Sequence, residues 1–290
     1  MDIQLKNGNV KAVIRSKGAE LVSLQSNETG IEYIWSGDAE YWGRHTPVLF
    51  PHVGRLKGDV LSYKGKDYPS GQHGFARDKE FEIALQTETK AVFVLKEDAE
   101  TLFRYPFSFV LTLSFELSEN GIRTTWKVEN PAEEILYFGI GGHPAFQIPL
   151  TSDLEFTDYS FDVRPQGVRK RLPFVPPFLD PLHAVEEEVG NIPFDHELFY
   201  NDALVYETVG ETQVRIVSHK SPHSVTLSYT DIPYVGLWSP YPKESPFVCI
   251  EPWCSYADTP EDTGDFSTKT SVQSLQPKEK FETSYLIEIQ

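Results

Sequence analysis

Residues 107–117 alternate between large apolar side chains and other residues, so that every second position is apolar. This period of two is typical of a half-buried β-strand, and residues 122–128 repeat it. The dipeptide Asn120-Gly121 lies between the two segments and is suited to the two positive φ angles of a type I′ turn. The pattern therefore predicts a β-hairpin with its turn at Asn120-Gly121.

The same alternation predicts three more hairpins along the chain. They pair residues 79–87 with 91–96, 204–208 with 213–218, and 225–229 with 234–238. A helix of one or two turns is expected only at 97–104, before Tyr105-Pro106. No linker and no repeat is visible, so we predict an all-β antiparallel fold with a single domain over residues 1–290.

Residues 164–201 differ in composition from the rest of the chain, because they contain six prolines: Pro165, Pro173, Pro176, Pro177, Pro181 and Pro193. We expect these prolines to break regular structure and to leave a long loop. Long loops inside compact domains are usually functional, so this segment is predicted to cover part of a site.

Composition excludes several classes of function. Acidic residues outnumber basic ones by 43 to 26, for a formal net charge of -17. Nucleic acids and anionic membranes need a basic footprint, so neither is an expected partner. The first residues lack the apolar core of a signal peptide, and no stretch approaches the roughly 18 apolar residues of a membrane span. A cytoplasmic location is the expectation.

The chain has two cysteines, Cys249 and Cys254. Two cysteines are too few for a disulfide framework, and no second pair or nearby histidine marks a zinc site. We expect both thiols to be reduced and to serve in packing.

Four short segments combine turn residues with polar groups that a plain β-sandwich does not require. They are 50–56, which contains Arg55; 71–77, with His73 between glycines; 139–146, with His143 between Gly142 and Pro144; and 247–253, which contains Glu251. Pro144 biases His143 toward an extended backbone and so fixes the direction of its side chain.

Glu251 is the most informative of these residues, because an unpaired carboxylate at the end of an apolar strand costs several kcal/mol. A carboxylate, two imidazoles and a guanidinium suit general acid-base chemistry on a neutral polar substrate. Simpler interpretations stay open at this point: an edge position for Glu251, a surface charge for Arg55, a loop histidine for His73 and a core histidine for His143.

Taken in order, the four segments read Phe-Pro-x-x-Gly-Arg, His-Gly-Phe-Ala-Arg, Gly-His-Pro-Ala-Phe and Ile-Glu-Pro-Trp. Together they resemble the aldose 1-epimerase (galactose mutarotase) family, in its bacterial branch associated with lactose operons. The resemblance implies a large twisted antiparallel β-sandwich whose concave face holds a monosaccharide, an aldohexose. It also implies interconversion of α and β anomers without a cofactor or metal, by a monomer or homodimer.

By the same resemblance, Arg55 and His73 hold sugar hydroxyls. His143 protonates the ring oxygen, and Glu251 takes the proton of the anomeric hydroxyl. A substrate-binding aspartate is assigned to Asp202, with Asp180 and Asp195 as competitors. The galactose enzymes of the family carry asparagine where this chain has Gly54 and Gly142, so the resemblance does not choose the sugar.

Three alternatives remain. A non-catalytic carbohydrate-binding protein needs the fold but not an acid and a base. A cupin-like metalloenzyme would use His73, His143 and Glu251 as ligands, although the usual His-x-His pair is missing. A hexose-6-phosphate epimerase of the same fold would bind phosphate through Arg77 or Arg44.

Overall fold

Strands provide most of the regular structure in the computed structural model, which describes all 290 residues. In chain order the first twelve are β1 Asp2–Lys6, β2 Val10–Arg15, β3 Glu20–Ser26, β4 Val48–Leu49, β5 Val60–Tyr63, β6 Lys66–Pro69, β7 Glu82–Gln86, β8 Lys90–Lys96, β9 Val110–Ser118, β10 Gly121–Glu129, β11 Leu136–Phe138 and β12 Gly141–Gly142. The other twelve are β13 Ala145–Gln147, β14 Tyr159–Leu172, β15 Phe174–Val175, β16 Phe178–Leu179, β17 Val185–Pro193, β18 Leu204–Glu207, β19 Glu211–Ser218, β20 Ser221–Thr230, β21 Tyr234–Trp238, β22 Phe247–Trp253, β23 Gln273–Leu275 and β24 Lys280–Ile289.

One short α-helix, α1 at Ala99–Arg104, confirms the helix predicted at 97–104. It begins because the Asp98 carboxylate accepts a hydrogen bond of 2.7 Å from the Thr101 amide, and it ends at Tyr105, which precedes a proline. Short 3₁₀ turns lie at Lys57–Asp59, Ala76–Asp78, Phe156–Asp158, Pro181–His183, His196–Phe199 and Phe266–Thr268. None of the helices has the length and apolarity required to cross a membrane.

A fifteen-stranded antiparallel sheet dominates the fold. Its main path runs β4-β12-β22-β21-β18-β14-β19-β20-β24-β10-β9-β8-β7, with β13 and β17 paired beside it. Strands β1 to β3 form a separate sheet, and three two-stranded ribbons complete the structure. A core of 61 buried apolar residues takes side chains from both ends of the large sheet, such as Phe93 and Ile250, and Ile14 from the small sheet. The predicted all-β antiparallel class is therefore confirmed.

The hairpin predicted at 107–128 is present as β9 and β10, but its turn is not the one expected. Ser118 is opposite Gly121, so Glu119 and Asn120 form the turn. Neither Asn120 nor Gly121 has a positive φ, and the type I′ prediction is wrong. A Cβ atom at Gly121 would lie 2.0 Å from the carbonyl oxygen of Ile287 on β24. The glycine is needed for this close approach between strands.

The predicted strand pairing is confirmed only where a short turn joins the two strands. The 79–87 and 91–96 segments pair as β7 and β8. The other two predicted hairpins are wrong, because β14 lies between β18 and β19, and β20 pairs with β19 and β24 instead of β21. The connection between β19 and β20 contains two residues, since Ser218 is opposite Ser221. Alternation identifies the face of a strand but not its partner.

The proline-rich segment also departs from expectation. Two long strands, β14 and β17, run through it and pair with each other. Pro165 lies at an irregularity of the ladder between Asp162 and Gly167, which absorbs the missing amide without ending the strand. The prediction of an irregular loop is therefore wrong. The expectation that the segment covers a site holds for Phe174, Pro176, Pro177 and Leu179, which line the main pocket.

Candidate active site

A pocket of about 440 Å³ brings together all five residues predicted from the sequence. Arg55, His73, His143, Asp202 and Glu251 line it. Its walls also contain Arg77 and three tryptophans, which are Trp42, Trp238 and Trp253. A pocket of this size, mostly apolar with a few convergent polar groups, is typical of a small-molecule site.

Glu251 lies on the floor of the pocket, on an interior strand near one end of the large sheet. All seven residues of β22 are buried, and Glu251 is only 2% exposed. The strand has β12 and β13 on one side and β21 on the other, so the alternative of an edge position open to water is wrong. Its Oε2 atom accepts no well-aligned hydrogen bond from the protein, although a histidine nitrogen lies 3.2 Å away. Groups of this kind are rare without a functional reason.

His143 follows β12 and faces Glu251. The main chain fixes its position, because the His143 amide donates to Pro47 over 3.1 Å and the Pro144 carbonyl accepts from Ile250 over 3.1 Å. The Nε2 atom of His143 lies 3.2 Å from Oε2 of Glu251. The Trp42 indole stacks on the imidazole, with ring centroids 4.7 Å apart. The residue is therefore held by two main-chain hydrogen bonds and by the stacked Trp42 ring.

Burial determines the charge state of this pair in the free protein. It lowers the pKa of His143 to about 3, and the cations Arg77 and Arg44 add to the effect. Burial also raises the pKa of Glu251 well above its usual range, with a smaller contribution from the nearby Asp202 carboxylate. Both shifts favour the uncharged forms. The pair therefore holds one proton near neutral pH, preferentially on Glu251.

His73 has a defined tautomer because of its contact with Gly54. The Gly54 amide donates to Nδ1 of His73 over 3.0 Å, so Nδ1 is an acceptor and the ring proton is on Nε2. Burial, followed by the charges of Arg77 and His143, lowers the pKa of His73 well below its usual range. His73 also has a positive φ of 65°. Such strain is common at binding sites.

Packing explains why positions 54 and 142 are glycine. A Cβ atom at Gly54 would lie 2.5 Å from the Ala257 side chain, and one at Gly142 would lie 2.9 Å from the Trp126 ring. Neither position has room for an asparagine side chain without movement of its neighbour. Both positions therefore require glycine in this packing arrangement.

Arg55 and Asp202 lie at the rim. The Arg55 side chain is 41% exposed, and its Nη1 atom donates to Asp59 over 3.0 Å. Asp202 has a φ of 73°, and its carboxylate accepts from the Ala203 amide over 2.8 Å. Partial burial raises the pKa of Asp202.

The two competing aspartates lie outside the pocket lining. Asp195 caps a short turn by accepting from the Glu197 amide over 2.9 Å. Asp180 lies 2.6 Å from Nδ1 of His183. Of the three candidates, only Asp202 lines the pocket.

The aromatic walls were missed in the sequence. Trp42 and Trp238 surround His143, Trp238 with its edge toward the imidazole at 5.4 Å. The Tyr41-Trp42-Gly43-Arg44 run, aromatic and basic residues beside a glycine outside any strand pattern, is the signal that could have identified Trp42.

Arg77 has no carboxylate partner, although the chain is strongly acidic. Its Nη2 atom donates to the Gln72 carbonyl over 2.7 Å, and its buried Nε atom has no partner. No ion pair within 4.0 Å includes it, whereas Arg44 pairs with Asp78 at 3.0 Å. Burial, then repulsion from Arg44, lowers the pKa of Arg77 to about 10. Arg77 is a desolvated cation on the pocket wall.

Comparisons with known proteins agree with this geometry. A model of the family described as aldose 1-epimerase matches residues 1–288. "Protein LacX, chromosomal" from Lactococcus lactis subsp. lactis is 31% identical over 306 aligned residues, which cover 100% of this chain and 99% of the relative. A galactose mutarotase related enzyme from Lactobacillus acidophilus has a TM-score of 0.98 at 38% identity, with 100% of this chain and 97% of that chain covered.

A galactose mutarotase-like protein from Lactobacillus casei ATCC 334 has a TM-score of 0.92 at 30% identity, with 100% of both chains covered. The resemblance drawn from the four motifs is therefore confirmed, as is the large twisted antiparallel β-sandwich of the galactose mutarotase type.

Proposed function

The chain belongs to the aldose 1-epimerase family, and on that premise we propose that it is an isomerase that interconverts the α and β anomers of a free aldohexose. The main support is the contact between His143 and Glu251. Their Nε2 and Oε2 atoms are 3.2 Å apart on the floor of a sugar-sized pocket.

The reaction needs an acid and a base close together. In a cyclic aldose the anomeric hydroxyl and the ring oxygen are bonded to the same carbon. Glu251 removes the hydroxyl proton while His143 delivers a proton to the ring oxygen, so the C1–O5 bond breaks and a carbonyl forms at C1. Rotation about the C1–C2 bond and closure on the other face reverse both transfers. Each positioned acid or base contributes on the order of 10² to 10⁴ in rate.

The pair works as a unit that carries one proton. Ring opening begins with the proton on His143 and ends with it on Glu251, and closure returns it. In the free protein, burial favours the arrangement with the proton on Glu251. When a sugar binds, its hydroxyls donate to the Glu251 carboxylate and favour the arrangement with the proton on His143. The stacked Trp42 face stabilises the imidazolium in that arrangement. Proton transfers alone complete this cycle, so no cofactor or metal takes part.

The remaining polar groups hold the sugar. Arg55 and the Nε2 proton of His73 donate to hydroxyls, and the Asp202 carboxylate accepts from one. The tryptophan faces pack on the apolar side of the ring, as aromatic residues do with sugars. These roles for Arg55, His73 and Asp202 rest on their positions on the pocket wall.

The test is to follow freshly dissolved α-D-glucose and α-D-galactose by polarimetry or NMR. The protein should accelerate the approach to anomeric equilibrium, and the Glu251→Gln variant should not. Sugar binding by calorimetry without any acceleration would instead favour the alternative of a carbohydrate-binding protein.

A second candidate is a phosphorylated aldohexose, favoured by the unpaired Arg77 guanidinium on the pocket wall. Phosphate oxygens satisfy a buried arginine well. The comparison is kcat/KM for α-D-glucose 6-phosphate against α-D-glucose. Preference for the phosphorylated sugar that disappears in Arg77→Gln, but persists in the distant surface variant Arg123→Gln, would establish this substrate class.

Residues 1–290 are also proposed to fold as a single domain. Support comes from the one large core that includes strands from both ends of the chain, such as Leu5 and Ile287. A single cooperative thermal transition, with no stable fragment after limited proteolysis, is the expected result.

A further inference from the structure

Cys249 is a buried thiol that the proposed mechanism does not use. It lies two residues before Glu251 on β22, so both side chains project from the same face of the strand. One ligand atom from each of His143, Cys249 and Glu251 lies within 4.8 Å of the other two. We propose that these three side chains form an inhibitory zinc site.

The set of ligands matches zinc. Imidazole nitrogen, thiolate sulfur and carboxylate oxygen are all zinc ligands, and three protein ligands with one open position is the arrangement of accessible zinc sites. Bond lengths of about 2.0 to 2.3 Å around a tetrahedral ion place ligand atoms roughly 3.3 to 3.7 Å apart. His143 and Glu251 are already at 3.2 Å, so only Cys249 has to approach further. Magnesium and calcium prefer oxygen ligands and do not fit.

A second observation points to a ligand at this position. The Glu251 carboxylate is 2% exposed, yet its Oε2 atom accepts no well-aligned hydrogen bond, even from His143 at 3.2 Å. His143 and Glu251 line the pocket, which gives an ion a path to the site. A bound ion would convert both proton carriers into ligands. The site itself stands on geometry, while the inhibition also rests on the proposed function.

The binding test does not depend on activity. Cobalt(II) is added to the full-length protein as a spectroscopic substitute for zinc, and thiolate-to-cobalt charge transfer is measured in the near ultraviolet. The band should appear in the wild type and in Cys254→Ala, whose thiol is buried elsewhere, and be absent in Cys249→Ala. Zinc should raise the Tm of the wild type and not that of Cys249→Ala, whereas magnesium should change neither.

The inhibition test uses the anomerisation assay. Zinc should inhibit the wild type and Cys254→Ala, a chelator should restore activity, and Cys249→Ala should need at least tenfold more zinc for the same inhibition. Absence of the cobalt–thiolate band in the wild type would overturn the site, even if Cys249→Ala failed to fold. A normal band with unchanged activity would leave the site intact, overturn its inhibitory role and count against His143 and Glu251 as the acid and base. Activity lost on chelation would overturn the inhibitory role and favour a metalloenzyme.

Discussion

The Nε2 atom of His143, which follows β12, lies 3.2 Å from the Oε2 atom of Glu251, which lies within the neighbouring strand β22. Both side chains are at least nine-tenths buried. Desolvation acts on them in opposite directions, since it raises the pKa of the carboxyl group and lowers that of the imidazole. The two groups therefore titrate as a coupled pair.

Replacing either member of the pair should stop the reaction without unfolding the protein. Glu251→Gln keeps the shape of the side chain and removes the base, and His143→Asn removes the acid. We expect kcat to fall by on the order of 10² or more in each variant. Asp180→Asn, which changes a carboxylate outside the pocket, is the matched control. Turnover close to wild type in a variant that circular dichroism shows to be folded would contradict the assigned roles.

The pH profile should be a broad plateau. The pair gains a second proton only near the lowered pKa of His143, at about 3, and it loses its last proton only at the raised pKa of Glu251. Activity should therefore be flat through neutral pH and fall on the alkaline side, in a plot of kcat/KM.

A variant of Asp202 tests which group sets the alkaline side of the pH profile. Its negative charge contributes to the raised pKa of Glu251. Removing that charge in Asp202→Asn should lower the pKa of Glu251 and move the alkaline limb to lower pH, in addition to any loss of sugar binding. A limb that keeps its position while KM rises would mean that Asp202 contacts the sugar without influencing the pair. Asp180→Asn should leave the limb in place.

Trp42 should influence the acid through its stacked face. An indole over an imidazolium stabilises the charged form by about 1 kcal/mol. Trp42→Leu is therefore expected to lower kcat roughly fivefold, and Trp42→Phe should recover most of the loss because it restores a ring over His143. Equal losses of kcat in Trp42→Leu and Trp42→Phe would show that the indole does not act by placing an aromatic ring over His143.

Arg55 should matter for binding and little for stability. Its ion pair with Asp59 is exposed, and such pairs contribute at most about 1 kcal/mol. Arg55→Ala should raise KM and change the Tm only slightly. Asp59→Ala removes the same ion pair and keeps the guanidinium, so it should leave KM near the wild-type value. A large loss of Tm in both variants would instead identify a structural ion pair.

Acid should destabilise the protein partly through His143. A histidine whose folded pKa is depressed contributes stability that is present above its unfolded pKa of 6.5 and is lost as the pH falls toward about 3. At pH 5 this loss is roughly 2 kcal/mol. His143→Asn should therefore lose less stability than the wild type between pH 8 and pH 5 in denaturant titrations. His219→Asn, at an exposed turn, should follow the wild type.

Local patterns identified the residues that meet in the pocket better than they predicted the arrangement of the sheet. Glu251 could be singled out because a charge inside an apolar strand is costly anywhere, whatever strands lie beside it. The partner of β18 could not be predicted, because β14 inserts between β18 and β19 from an earlier part of the chain. Register across such distances depends on the whole core.

Two errors have a common physical origin. Gly121 and Pro165 are turn and breaker residues by propensity, yet each serves the sheet itself. Gly121 permits the approach of β24, and Pro165 lies where the ladder of β14 is already irregular. Trp42 had no periodic context, so its stacking on His143 became visible only when the pocket was assembled. Tertiary packing overrides local propensity at these positions.

The crowding at Gly54 and Gly142 limits how this site could change during evolution. An asparagine at position 54 meets not only the Ala257 side chain but also its main-chain Cα atom, which would lie 2.8 Å from the new Cβ. The segment around Ala257 would have to shift first. At position 142 the obstacle is Trp126, a fully buried ring whose truncation costs about 3 to 5 kcal/mol. A side chain at either position can therefore be accommodated only after its neighbours have moved or changed.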